Sequence, residues 1–260
     1  MADAVQYQTS GPVATITLAR PESRNALSPA VLAGLHSGLE AAIADANIRA
    51  AVITNTGPVF CAGADLAGGG GVAGGENPGL PEVLAAIQDA PKPVIARIAG
   101  HAFGGGVGLA AACDLSVAAN SSRFGFTEVR VGVAPAIISV FCLPKLSRGE
   151  ALELFLTGER FDANRAAASG LINLAVPDDA LDQTINGLVQ RILLGSPAAV
   201  AAAKRLVYTV PQLPRDEALA VTATLSQQLF ASPEGQEGMA AFRERRIPSW
   251  VAGESTTRGS

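Results

Sequence analysis

Residues 94–119 read VIARIAGHAFGGGVGLAAACDLSVAA. Val94 to Ile98 is a short apolar run behind Pro91 and Pro93 and suits a buried strand. Gly104-Gly105-Gly106 breaks it and opens an Ala/Leu-rich helix to about Cys113. Leu115 to Ala119 is apolar again and predicts a second strand. Strand, glycine turn, helix, strand is the signature of an α/β core.

The same grammar extends outward. Val13, Thr15 and Thr17 alternate with Ala14, Ile16 and Leu18, a strand that stops at Arg20-Pro21. Ser28-Pro29 is an N-cap followed by proline at the first helical position, and Val31, Leu32, Leu35, Leu39 and Ile43 carry a helical period to about Ala46. Ala50 to Thr54 suits another buried strand. Residues 67–80 are glycine-rich and predict a loop, of a length often used as a lid. From about Pro135 the pattern is helical, over 147–157, 178–194, 197–209, 215–231 and 233–246. The expectation is an α/β core over 1–195 and a helical region over 196–260.

Composition narrows the function. Of 260 residues 48% are hydrophobic and 16% charged, too apolar a chain for intrinsic disorder. The formal charge of −4 gives no basic excess for nucleic acid. The charged fraction is below the ordinary ~25%, which predicts that surface is buried between subunits. Cys61, Cys113 and Cys142 fit no zinc spacing, so no metal is expected, and an odd number of thiols suits a reduced, cytoplasmic chain. No basic-then-apolar start predicts a signal peptide, and no apolar run is long enough for a membrane span.

Three segments carry candidate chemistry. In Phe60-Cys61-Ala62-Gly63-Ala64-Asp65-Leu66, small residues after a buried strand let backbone N–H groups approach a ligand; the alternative is a plain tight turn. Gly104 to Gly108 open a helix, where unpaired N–H groups and the positive end of the dipole suit an anion or a developing oxyanion. Gly106-x-Gly108-x-x-Ala111 also fits a loose dinucleotide pattern, but Asp114 comes too early to read a ribose. Glu128 is the only acid between Asp114 and Glu150 and is flanked by Phe124, Phe126, Val129 and Val131. Desolvation there would raise its pKa and suit proton transfer; the alternative is a salt bridge to Arg123 or Arg130. His101, Glu76 and Glu82 are further acid/base candidates.

Taken in order, Asn25-Ala26-Leu27, Phe60 to Leu66, Gly104-Gly105-Gly106 leading to Cys113-Asp114, Phe124-Gly125 before Glu128, Gly132-x-x-Pro135, and Glu237-Gly238 before Phe242 resemble the enoyl-CoA hydratase/isomerase, or crotonase, superfamily. The resemblance implies a crotonase (ClpP-like) α/β spiral of β-β-α units with a helical C-terminal trimerisation region, assembled as a homotrimer or a hexamer of two trimers. It implies an acyl-CoA substrate and no separate cofactor, since coenzyme A arrives with the substrate. It assigns the N–H groups of Ala62 and Gly105 to the oxyanion hole and Glu128 to acid/base work. It sets Arg24, Ala26, Gly63, Ala64, Asp65 and Leu66, with Phe242 and Arg245 of the last long helix, against coenzyme A. The implied reaction is hydration across the 2,3 double bond.

One position departs from the two-glutamate hydratases: the residue two past the glycine triplet is Gly108. A Δ3-Δ2 isomerase, which needs one base, and a non-catalytic acyl-CoA binder therefore stand beside hydration. Gly106 to Leu109 with Phe126 to Ser139 also resembles a bacterial subgroup linked to branched, carboxylated enoyl-CoAs such as methylglutaconyl-CoA. That likeness implies Arg130 or Arg123 as partner of a substrate carboxylate.

Overall fold

The computed structural model describes residues 3–65 and 78–252. The chain divides into two compact units, Met1–Asn186 and Gly187–Ser260. In the first unit the order is β1 (Val5–Ser10), β2 (Val13–Leu18), α1 (Pro29–Ala44), β3 (Ala50–Asn55), β4 (Val59–Cys61), α2 (Leu80–Asp89), β5 (Val94–Ile98), β6 (His101–Phe103), α3 (Gly105–Ala112), β7 (Leu115–Ala119) and β8 (Arg123–Gly125). After these come α4 (Ala136–Cys142), α5 (Arg148–Thr157), β9 (Phe161–Asp162), α6 (Ala163–Ala168), β10 (Leu174–Val176) and α7 (Leu181–Leu193), which contains the boundary.

Two sheets result. One has the order β1-β2-β3-β5-β7-β10, the other β4-β6-β8-β9. Apart from the antiparallel pairs β1–β2 and β8–β9, all neighbours are parallel. Each of β3, β5 and β7 is followed within a few residues by β4, β6 and β8, so each turn of the chain lays one strand in each sheet. This is the β-β-α spiral that the sequence resemblance implies.

The local reasons are those of the sequence. On β2 the alternation puts Ala14, Ile16 and Leu18 fully inside and leaves Val13, Thr15 and Thr17 half-buried. β3 is buried along its whole length, as its continuous apolar run requires. Ser28 Oγ accepts from Val31 N and caps α1 ahead of Pro29. Several short helical stretches add to the expected set, α2 and α4 among them. On α2, Leu80, Val83, Leu84 and Ile87 form a buried stripe at helical spacing, and α4 follows Pro135.

Asn25 ties the spiral's entry to its first turn. It is 0% exposed and has φ +52, a left-handed conformation. Its Oδ1 accepts from Arg20 N at 2.8 Å, and its Nδ2 donates to Thr56 O at 3.0 Å and Val59 O at 2.8 Å. Asn25→Ala removes three part-buried side chain–backbone hydrogen bonds. It should lower unfolding free energy by about 2–3 kcal/mol, read as a lower urea midpoint at unchanged slope.

The second unit is helical, with α8 (Pro197–Thr209), α9 (Arg215–Ala231), α10 (Pro233–Glu244) and α11 (Ser249–Ala252). Ser196 and Ser232 cap α8 and α10 through Oγ, each ahead of a proline at the helix start. Among the described residues no helix is long and apolar enough to cross a membrane.

Candidate active site

The parallel strands β4, β6 and β8 end side by side, and the chain that leaves each one enters the site. β4 feeds Ala62–Asp65, β6 feeds Gly104 and the start of α3, and β8 feeds the short turn Thr127–Val131 that carries Glu128. Gly104 N donates to Gly125 O at 2.9 Å and locks the ends of β6 and β8 together.

Glycine sets how near the three exits come. A Cβ on Gly63 would lie 2.8 Å from Phe103 O and 3.1 Å from Gly105 N. One on Gly106 would lie 2.3 Å from Cys61 O. One on Gly104 would lie 3.0 Å from Glu128 Oε1. The Glu128 carboxyl therefore rests on the peptide that precedes Gly105, the first residue of α3. As that first residue, Gly105 has no intrahelical acceptor for its N–H, and none is present among the described residues. The positive end of the α3 dipole lies behind it.

Glu128 is held by its surroundings and unpaired at its tip. Its backbone O accepts from Val133 N at 3.2 Å. Phe126, fully buried, leads into the turn and packs on Phe155 with ring centroids 4.3 Å apart. Val129 is pressed against Gly158, where a Cβ would meet Val129 Cγ2 at 2.9 Å. Oε2 is buried with no hydrogen-bond partner among the described residues, and burial pushes the carboxyl above its ordinary value. No ion pair to Arg123 or Arg130 forms among the described residues. Arg123 stands at the opposite end of β8 from the site, its N–H on His101 Nδ1 at 3.2 Å and its guanidinium on Ser122 O. Arg130 Nε donates to Thr157 O at 3.1 Å. His101, at the start of β6, is thus occupied in joining strands.

The loop after β4 holds a correction. The N–H of Ala62, expected at the oxyanion, donates instead to Arg24 O at 3.0 Å. Gly63 then turns with φ +89, its O accepting from Leu27 N at 2.8 Å, and Ala64 bridges to Leu27. The N–H with no acceptor among the described residues is that of Ala64, one residue past the turn. The left-handed glycine was the available signal, since the first peptide beyond it leaves the strand's ladder. Arg24 (φ +54), Ala26, Gly63, Ala64 and Asp65 are brought together by these bonds. The Arg24 side chain is exposed. Leu66 and Glu76 lie outside the described residues, and Glu82 is on the exposed side of α2. Asp114, too early for a ribose, binds Val94 N through Oδ2 at 2.7 Å and joins β5 to β7.

In the second unit Phe242 is 86% exposed on α10 and Arg245 is the left-handed residue that ends that helix. Arg246 grips Glu237 through two bonds of 2.6 and 2.8 Å, which fixes the helix end that carries both residues and holds the Glu237 carboxyl well below its usual range.

Comparison with known proteins gives the family. The model of the enoyl-CoA hydratase/isomerase family aligns with residues 8–253. The 2,3-dehydroadipyl-CoA hydratase of Escherichia coli is 34% identical over 241 residues, 92% of this chain and 94% of that protein. The (E)-benzylidenesuccinyl-CoA hydratase of Thauera aromatica is 32% identical over 259 residues, 95% of this chain and 98% of that one. A crystal structure of enoyl-CoA hydratase from Mycobacterium smegmatis superposes with a TM-score of 0.87 at 34% identity, covering 95% of this chain and 98% of the other. Family model, relatives and fold agree: the chain belongs to the enoyl-CoA hydratase/isomerase family.

Proposed function

We propose that this protein adds water across the 2,3 double bond of an enoyl-CoA. The observation that carries the reading is a buried, unpaired Glu128 Oε2 beside a helix start whose first N–H has no acceptor among the described residues. The N–H groups of Gly105 and Ala64 receive the thioester oxygen. Glu128 takes a proton from water as its oxygen adds to Cβ; the electron pair of the double bond moves into the thioester as an enolate, which the two N–H groups stabilise. Glu128 then returns the proton to Cα, so one carboxylate closes the cycle. Isomerisation is the second reading, favoured by Gly108, because moving a proton between two carbons uses the same single base. A mass-spectrometric screen over crotonyl-, longer trans-2- and cis-3-enoyl-CoA separates them: a 3-hydroxyacyl-CoA product supports hydration, a shifted double bond supports isomerisation, and binding without turnover overturns both.

Arg24, Ala26, Gly63, Ala64, Asp65 and Leu66 border coenzyme A in this reading, and the family resemblance assigns Phe242 and Arg245 of α10 to coenzyme A, whether that of the same chain or of a neighbouring subunit. Arg24 is exposed and ion-paired to no described residue, so its charge is available to a phosphate. Arg24→Ala should raise KM about tenfold, the loss of roughly 1.4 kcal/mol, with kcat within twofold of the parent (~0.4 kcal/mol). An equal fall in kcat would instead implicate the Arg24 backbone bond to Ala62. Assembly as a trimer or pair of trimers is supported by the exposed Val207, Leu219, Phe230 and Phe242 of the second unit, and a reducing cytoplasm by three buried cysteines that form no disulfide among the described residues. Light scattering tests the first.

A further inference from the structure

Glu128 meets the residue that precedes α3, and the first turn of the helix follows directly. Gly108 lies four residues after Gly104, and its N–H donates back to Gly104 O at 3.3 Å. A Cβ on Gly104 would meet the Glu128 carboxyl, while one on Gly108 would lie 2.2 Å from Ile138 Cγ2 and 2.6 Å from Ile138 Cβ. Ile138, on α4, is 2% exposed. The start of α3 therefore has a carboxylate against Gly104 and an isoleucine against Gly108. Cys142, one turn further along α4, is fully buried and adds no second carboxylate.

We propose that Ile138 is the specificity-determining residue of the Glu128 site: it fills the space that any side chain at position 108 would need, restricts the site to one carboxylate, and closes that space against acyl groups branched at Cα. The inference rests on the enoyl-CoA reading above. It explains why Gly108 stands where a second acid is expected. The two positions are one device, since a glutamate at 108 overlaps both Cβ and Cγ2 of Ile138 and no rotamer of the new side chain moves its own Cβ. Removing the Ile138 side chain clears both overlaps, and its Cα, at 3.5 Å, is at ordinary contact distance.

A four-protein cycle tests this: the parent, Gly108→Glu, Ile138→Gly, and the double variant. Thermal midpoints should be non-additive, with the double variant more stable than Gly108→Glu although Ile138→Gly alone lowers the midpoint. The ratio of kcat/KM for 2-methylcrotonyl-CoA to that for crotonyl-CoA should rise about tenfold or more in Ile138→Gly, the usual worth of a methyl-sized gap. A merely structural role lowers both substrates together and leaves the ratio unmoved. Additive midpoints, or an unchanged ratio in a parent that turns over crotonyl-CoA, overturn the inference alone. A parent with no Glu128-dependent turnover of either substrate overturns the functional reading and the inference with it.

Discussion

Glu128→Gln should leave a folded protein that turns over enoyl-CoA about 10²–10⁴-fold more slowly than the parent and is more stable than it at pH 7. Both effects have one source. The carboxyl is buried beside Gly104, its Oε2 has no partner among the described residues, and burial raises its pKa above the ordinary 4.5. For an acid whose folded pKa is raised, the protonated form is the one the fold favours. Below about pH 4.5 folded and unfolded chains are both protonated, and glutamate and glutamine are equivalent in charge. As pH climbs through the folded value, the parent must hold an ionised carboxylate without a partner and loses stability, while the glutamine variant does not. The difference in thermal midpoint should therefore be near zero below pH 4.5 and open in favour of the glutamine variant as pH rises. The acid limb of kcat/KM in the parent should lie above the ordinary carboxyl value, because the base form is the reactive one. Turnover near the parent's rate in Glu128→Gln would remove Glu128 from the chemistry.

How much of this was legible in the sequence follows from how local each signal is. β2, α1, β3, β5 and β7 each span five or more residues with their own period or cap, and the sequence placed them within a residue or two. The second sheet left no such trace. β4, β6 and β8 have three residues each and β9 two, too short to show alternation, and pairings such as Ala102↔Phe124 and Phe103↔Gly125 decide them. Glu128 was readable because it is a lone acid in an apolar stretch. The N–H of Ala62 is occupied and the one without an acceptor among the described residues lies two residues on, because sequence shows that Gly63 turns but not which N–H the turn frees. Ile138 carried no signal of its own. Its importance lies in a contact with Gly108, thirty residues earlier in the chain, which exists only once α3 and α4 pack.

Gly63→Ala should lower kcat/KM at least about 10²-fold, the usual effect of losing one well-aimed oxyanion donor, and unfolding free energy by about 2–4 kcal/mol. Two terms add. The first is conformational: φ is +89, a region that an L side chain enters at a cost of about 1–2 kcal/mol. The second is a wedge, since the new Cβ would meet Phe103 O at 2.8 Å and Gly105 N at 3.1 Å. Both are backbone atoms at the junction of β6 and α3, and neither can swing aside as a side-chain tip would. The strand exit must back away from the helix start, which separates the N–H of Ala64 from that of Gly105. A displacement of about an ångström at a reacting centre is enough for a 10²-fold loss. Gly11→Ala provides the control. It shares the positive φ, at +53, but a Cβ there meets nothing within 4 Å, and the residue lies in the β1–β2 hairpin. It should show the conformational cost alone, about 1 kcal/mol, with kcat/KM unchanged. Equal losses of stability in the two variants, with activity retained in Gly63→Ala, would mean that the loop after β4 adjusts without moving its N–H, and that the close approach of the two segments does not set the geometry of the oxyanion site.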